Sequence, residues 1–268
     1  MNTTKQSPNI KNEKRWYFLS VFYAREQWAE LIIDIMNFYR MHTGLFSAYL
    51  FSFSEEYGEH LKVTFASLDI DKDYSTEIQN YFQQLVEQCP SNSAVQFPYG
   101  RVLWCNYPNN SISWNKFSLP VYTDQYIAFH QQMIRLAVRL LADDFSEENI
   151  FSAGVYLITK ALSFIDINEQ KNTLSCILGE SFLNESDTKY IIAYFLDKKH
   201  MMEVFEAIEF CRNENESEYS LDMIRWLNEV ENCLKTNKFN ILCYFIFKIL
   251  GIMGVHQILI LELLYKYL

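Results

Sequence analysis

The chain has 268 residues, half of them hydrophobic, and a formal net charge of −10 at pH 7. This acidic balance argues against a nucleic-acid surface, because phosphate binding needs a clustered basic face and the lysines and arginines here are scattered. Six cysteines without a C-x-x-C pair, in a chain without an export signal, predict reduced and mostly buried thiols in a cytoplasmic protein.

A single domain is expected over most of the chain. The seven glycines and five prolines do not gather into a linker that would separate two halves. Residues 1–14 are polar and lack hydrophobic periodicity, which predicts a disordered N-terminal tail. We therefore assign residues 15–268 to one α+β domain, with a β-rich part over 15–120 and a mainly helical part over 121–268.

The first ninety or so residues alternate between strand and helix patterns. Arg15 to Tyr23 is a dense aromatic and β-branched run, which predicts a central strand. Apolar residues at helical spacing predict a helix over Gln27 to Tyr39 and another over Thr76 to Gln88. Between them, Leu45 to Phe53 and Leu61 to Phe65 predict a hairpin. This order favours an antiparallel or mixed sheet with helices on one side.

The chain then becomes less regular before it turns helical. Short strands are predicted around Val95 to Phe97 and Arg101 to Tyr107, followed by a turn at Pro108 to Asn110. Ser146 is a suitable N-cap for the helix that follows it. From Val121 onward the predicted helices are Asp124 to Leu141, Glu147 to Phe164, Glu169 to Leu178, Asp187 to Leu196, Met201 to Cys211, Leu221 to Lys235 and two more between Asn240 and Leu268.

The apolar tail from Asn240 to Leu268 needs comparison with a membrane span. Charged or titratable residues interrupt it, so no uncharged run reaches the roughly 20 residues that cross a bilayer. A buried helical hairpin hinged near Gly251 and Gly254 is the better prediction, and no membrane partner is expected.

Two metal-binding patterns fail on their spacing. Asp69, Asp71 and Asp73 have the alternate-acid spacing that opens a calcium loop, but Tyr74 stands where glycine is needed and Asn80 where a bidentate acid is needed. The five histidines lack the spacing and neighbouring cysteines of a zinc site. With no glycine-rich phosphate loop either, we expect neither a metal nor a cofactor.

The second strand of the hairpin carries polar residues on one face. Side chains alternate along a strand, so His60, Lys62 and Thr64 share one face, while Leu61 and its apolar neighbours share the other. The apolar face feeds the core. The polar face either meets solvent or lines a cavity.

These residues and the preceding strand and helix resemble the start of the C-terminal domain of lantibiotic dehydratases, a family that includes stand-alone thiopeptide biosynthesis proteins. The family pattern runs approximately Ile-Arg-Tyr-Ser-Asp-Pro and then His-Leu-Arg-hydrophobic-Arg-Phe. Phe51 to Glu56 and His60 to Phe65 occupy these places here. Ser52, Lys62 and Thr64 therefore stand where the family has arginines. The resemblance implies the α+β elimination-domain fold.

A second part of the resemblance lies in the C-terminal tail. The family helix there is similar to His-Met-x-x-Asn-Arg-Leu-x-Gly, and its glycine corresponds to Gly251. The family histidine falls on Cys243 or, with a shift of one residue, on Tyr244. Lys248 takes the place of the arginine.

The departures from the family pattern bear on mechanism. In members that eliminate glutamate from glutamylated Ser or Thr, the resemblance implies that the arginines and the histidine hold the leaving carboxylate. An arginine fork pairs bidentately with carboxylate, which Ser52 and Thr64 cannot imitate.

Thiopeptide pyridine synthases keep the scaffold but lack these residues. They join two dehydroalanines of one peptide in a formal [4+2] aza-cycloaddition and expel water and the leader peptide. The resemblance to this branch implies a pyridine synthase.

By this resemblance, His60, Lys62, Tyr244 and Ser52 line the reaction pocket. His60 is expected to shuttle a proton near neutral pH. Lys62 is expected to stabilise developing oxyanion character, and Tyr244 to donate to an imidic or hydroxyl oxygen. The alternative for Tyr244 is a core aromatic on a buried helix.

The implied partner is a leader-bearing precursor peptide that contains dehydroalanines, together with other modifying enzymes of the same pathway. The leader is expected to add as a strand to an exposed edge of the β-rich part. Two alternatives stay open: a glutamate-eliminating subunit that makes dehydroalanine, and a non-catalytic protein that binds the precursor.

Overall fold

The computed structural model describes residues 14–92, 107–114, 124–142, 144–179, 198–236, 239–252 and 255–268. Within these ranges a small N-terminal sheet is followed by a helical second half. The protein is therefore α+β, and the predicted fold class is confirmed.

Four antiparallel strands form the sheet, in the order β2-β3-β1-β4. Three of them were indicated by their aromatic and β-branched residues. The strand β4 was not indicated, because four residues that alternate serine with apolar side chains carry a weak pattern. The strands are β1 (Trp16–Phe22), β2 (Phe46–Ser54), β3 (His60–Ser67) and β4 (Ser111–Trp114).

The helical predictions agree with the structure to within a few residues wherever it describes the chain. Ser146 caps its helix as predicted, since its Oγ accepts the backbone N–H of Asn149 at 3.4 Å. The strand predicted over 95–97, most of that over 101–107 and the helix predicted over 187–196 lie outside the described residues. The helices are α1 (Trp28–Met41), α2 (Ser75–Gln88), α3 (Asp124–Leu141), α4 (Glu147–Leu162), α5 (Ile167–Gly179), α6 (Lys198–Asn213), α7 (Leu221–Thr236), α8 (Phe239–Leu250) and α9 (Val255–Tyr267).

The core begins on the sheet face that carries Leu61, Val63 and Phe65. Phe38 of α1 packs against Phe65 and against Phe82 of α2, with ring centroids 5.2 Å and 5.5 Å apart. One hydrophobic cluster contains buried residues from β1, β2, β3 and each of the helices α1 to α9. The assignment of residues 15–268 to a single domain stays a prediction, and the tail up to residue 13 lies outside the described ranges.

The opposite face of the sheet is also partly covered by helix. Ile127 of α3 packs there against Ala48, Leu50 and Ala66. The expectation that helices lie on one side of the sheet is therefore wrong. The helical second half is long enough for α3 to cross part of the second face. The polar residues of that face lie toward the other end of the hairpin.

The C-terminal tail turns at Gly251, as predicted, while Gly254 lies outside the described residues. The backbone N–H of Ile252 donates to the Phe247 carbonyl at 2.9 Å, and Gly251 has φ +71°, which is the pattern of a Schellman helix end. A Cβ at Gly251 would lie 2.6 Å from the Phe53 carbonyl oxygen. The end of α8 therefore sits directly on β2. None of the described helices has the length and apolar character needed to cross a bilayer.

The cysteines of the described ranges are free thiols. Cys233 and Cys243 are buried, but Cys89 and Cys176 are exposed. The prediction of mostly buried thiols is therefore wrong for this part of the chain, because two of these residues fall on the solvent side of α5 and at the end of α2.

Candidate active site

A row of polar side chains crosses the sheet on the face opposite to the aromatic core. Antiparallel pairing places Lys62 between Ser52 of β2 and Ser20 of β1, and Ser20 faces Ser113 of β4. Directly opposed residues share a face with Cβ atoms about 5 Å apart, so these four residues form one continuous line, hereafter the polar row. It brings together two of the predicted site residues, Ser52 and Lys62.

The sequence motifs do not indicate Ser20 or Ser113. Ser20 is the one serine in an otherwise aromatic and aliphatic strand, and that break in the pattern is the signal that could have found it. Ser20 is buried, so its hydroxyl belongs to the interior of this face. Placing Ser113 in the polar row requires the register of β4 against β1, which the sequence alone does not provide.

Lys62 supplies the positive charge of the polar row. Its Nζ donates to Glu56 Oε2 at 3.1 Å, and its side chain is 26% exposed. An ammonium has three donors, and Glu56 accepts from one of them. The carboxylate offsets the lysine charge and limits the orientations of its side chain. Glu56, which the motif comparison did not single out, therefore belongs to the candidate site through its ion pair with Lys62.

The turn that carries Glu56 is held by Arg25. The guanidinium pairs with Glu55 and lies 3.7 Å from a Glu59 oxygen, while the Arg25 backbone N–H donates to the Glu59 carboxylate at 3.0 Å. Tyr57 and Gly58 have positive φ angles of 66° and 117°, which closes the hairpin tightly. These contacts place Glu56 where it meets Lys62.

His60 lies one pleat further along the same face, and it is only 2% exposed. Its Nδ1–H donates to the Gly58 carbonyl at 2.8 Å, which leaves the lone pair on Nε2. Its ring packs on Phe22 with centroids 4.6 Å apart. Burial lowers the pKa of His60 to about 4. The imidazole is therefore neutral near neutral pH, and its part in proton transfer stays a prediction.

Two buried histidines make stability dependent on pH. The pKa values of His60 and His130 are both lowered to about 4 by burial, below the ordinary value of 6.5. The unfolded chain binds these protons first as the pH falls, so the free energy of unfolding is undiminished above about pH 6.5 and decreases toward pH 4. His130→Gln, which keeps a donor for the Phe51 carbonyl, is expected to reduce the slope by about 1.4 kcal/mol per pH unit. Urea unfolding at several pH values measures this, and equal slopes in wild type and variant would contradict it.

Ser52 and Thr64, which stand where the family has arginines, are 7% and 3% exposed. A guanidinium at either position would lose its hydration, which is costly without a paired carboxylate. Among the described residues of this sheet face, Lys62 is the cation of the polar row, while Lys248 on α8 lies beside Tyr244. These two positions therefore offer hydroxyl groups for hydrogen bonding in place of guanidinium groups.

Tyr244 lies on α8 and is 52% exposed, so the alternative that it is a core aromatic is wrong. Lys248 Nζ donates to its Oη at 3.4 Å and lies 5.5 Å from the ring centroid. Cys243 is buried in the core, where burial raises the pKa of its thiol well above the ordinary value. Of the two residues that could take the place of the family histidine, Tyr244 is the one that offers a polar group to solvent or substrate.

Tyr244 is not part of the polar row. It stands beside Phe245, whose ring packs on Tyr126 of α3 with centroids 4.4 Å apart. The structure therefore groups Ser52, Lys62 and His60 on adjacent strands and presents Tyr244 from a helix.

The outer edge of β2 is closed to strand addition. His130 Nε2–H donates to the Phe51 carbonyl at 2.8 Å, and the Gln131 amide donates to the Tyr49 carbonyl at 3.3 Å. Gly251 covers the next outward carbonyl, that of Phe53. Among the strands that the structure describes, β4 forms the opposite edge, where an incoming peptide would have to pair with the sheet.

The acidic loop before α2 is held by hydrogen bonds and an ion pair of Asp73. Asp73 Oδ1 accepts the backbone N–H of Ser75, and its other oxygen pairs with Arg15 at 2.7 Å. In the described ranges no group of three or more His, Cys, Asp or Glu side chains converges as metal ligands would.

Comparisons with known proteins agree with the fold. No family model matches the chain, and no curated protein matches it. Among solved structures it is similar to "Pyridine synthase, TbtD, from thiomuracin biosynthesis", with a TM-score of 0.61 and 13% sequence identity over 94% of this chain and 97% of that chain. At 13% identity, this structural similarity is evidence about the fold alone. The chain therefore has the fold of a thiopeptide pyridine synthase, as the sequence resemblance predicted.

Proposed function

We propose that the protein is a pyridine synthase of thiopeptide biosynthesis, which joins two dehydroalanines of a leader-bearing precursor peptide by formal [4+2] aza-cycloaddition and expels water and the leader. The observation that carries the proposal is the polar row. The positive charge of Lys62 in this row is offset by Glu56. The small buried side chains of Ser52 and Thr64 stand where the family pattern has arginines. The similarity in fold to a pyridine synthase supports the same choice.

The reaction asks for orientation and proton transfer more than for a charged pocket. Holding two alkenes of one peptide in a reactive arrangement can lower the activation free energy by about 7–11 kcal/mol, as in well-arranged intramolecular reactions. An amide must first tautomerise to the azadiene, and an oxygen must leave as water. Lys62 would donate to the developing oxyanion, and Ser52 beside it would hydrogen-bond the same group.

The other two residues have narrower roles. His60 is neutral, so its Nε2 lone pair would accept a hydrogen bond and orient the amide rather than carry a proton through the cycle. Tyr244 would donate from α8 to the departing hydroxyl.

Glutamate elimination is less well supported by the same contacts. A leaving glutamate brings a second carboxylate to a lysine that already binds Glu56 at 3.1 Å. Two carboxylates that share one ammonium repel each other, whereas a neutral amide has no such penalty. The resident ion pair thus favours the neutral substrate.

Mass spectrometry separates the candidate functions. The protein is incubated with a leader-bearing peptide that contains dehydroalanines and, separately, with the glutamylated precursor of that peptide. We expect release of the leader together with a dehydrated macrocycle from the first peptide and no change in the second. Loss of glutamate from the second peptide would identify an eliminase, and binding without any mass change would identify a scaffold.

A further inference from the structure

A groove of about 460 Å³ lies between α1 and α3, on the other side of β2 from Ser52. Its floor is formed by Tyr49 and Phe51, which point to the aromatic face of the sheet because side chains alternate along the strand. Tyr39 of α1 packs on Tyr49 with ring centroids 4.5 Å apart. The remaining apolar walls are Ile32 and Met36 of α1 and Ile134 and Val138 of α3.

Two exposed arginines stand at the groove, Arg40 on α1 and Arg135 on α3. Asp222 also lines it, but that carboxylate lies 3.4 Å from Arg139. In the described part of the chain, neither Arg40 nor Arg135 forms an ion pair with a carboxylate. The groove is therefore locally positive in a protein whose net charge is −10.

The lining has the composition of a binding surface. Tyrosine, methionine and arginine are enriched at protein interfaces, and the flexible Met36 side chain can adapt to a partner. Because the outward carbonyls of Tyr49 and Phe51 are already occupied by Gln131 and His130, an occupant has to be recognised through its side chains.

We propose that this groove binds an acidic amphipathic peptide segment, whose apolar side chains enter between α1 and α3 while its carboxylates pair with Arg40 and Arg135. Arginine forks bind carboxylates bidentately, and apolar anchors in a groove between helices are a common mode of peptide recognition. If the proposed function holds, on which this identification rests, the segment belongs to the precursor peptide outside its reacting part, since the groove and the polar row lie on opposite faces of β2.

Fluorescence anisotropy with two labelled peptides of about 15 residues tests this proposal. The first carries leucines at helical spacing with glutamates between them, and the second has lysines in place of the glutamates. We expect the wild type to bind the acidic peptide at least about tenfold more tightly. The double variant Arg40→Glu/Arg135→Glu is expected to lose at least about tenfold in affinity. Lys235→Glu, about 20 Å along α7 from Asp222, is the control and should bind as the wild type does.

Equal affinity for the two peptides, or undiminished binding by the double variant, would overturn the proposal. A dimer in sedimentation that only the wild type forms would do the same, because the groove would then be a subunit contact. In turnover, the double variant should raise KM and leave kcat unchanged. If the wild type converts no dehydroalanine peptide but still binds the acidic peptide through these arginines, the proposed function fails and the groove proposal stands.

Discussion

Lys62→Met is expected to lower the rate of macrocycle formation by about 10²–10³-fold, the usual loss when one preorganised donor to a developing oxyanion is removed. Methionine keeps much of the side-chain length, so the packing of β3 should be preserved, and circular dichroism checks this. Peptide affinity should change little, because the donation strengthens only in the transition state. Single-turnover mass spectrometry measures the rate.

The control is Lys72→Met, an exposed lysine that lies 3.7 Å from Asp69 in the loop before α2. It is expected to leave the rate within about twofold of the wild type, since surface ion pairs contribute little. A Lys62→Met protein that is folded and equally fast would remove Lys62 from the site. Tyr244→Phe should have the smaller effect, about tenfold, because it removes one hydrogen bond from a half-exposed group.

Gly251→Ala is expected to lower the free energy of unfolding by about 3 kcal/mol, from the combined cost of a left-handed residue and an overpacked contact. The φ of +71° at Gly251 disfavours any side chain. An added Cβ would also lie 2.6 Å from the Phe53 carbonyl oxygen, and backbone atoms of β2 cannot rotate away. Equilibrium urea unfolding measures the change.

Gly44→Ala is the matched control, because a Cβ at Gly44 would meet nothing within 4 Å. Its effect should stay within about 1 kcal/mol. If both variants are equally stable, the end of α8 does not depend on its contact with β2. If Gly251→Ala is folded but destabilised, macrocycle formation should also fall, since Tyr244 is presented by the same helix.

The site was partly predictable because some of it is local in sequence. Alternation along β3 is enough to put His60 and Lys62 on one face, and the hairpin pattern predicts a partner strand that carries Ser52. The protonation and pairing of these residues could not be predicted from the sequence. The pKa of His60 depends on its burial, and the ion pair of Lys62 depends on how the turn at Glu56 folds back.

By itself the sequence determined the described helices and the strands β1 to β3, which face of the hairpin is polar, and that the tail turns at Gly251, since each depends on residues close together in the chain. The tertiary structure alone decided that Ser20 and Ser113 complete the polar row, that Cys243 points inward and Tyr244 outward, and that α3 closes the β2 edge. These features depend on strand register and on how distant helices pack, and periodicity within one segment carries no information about either.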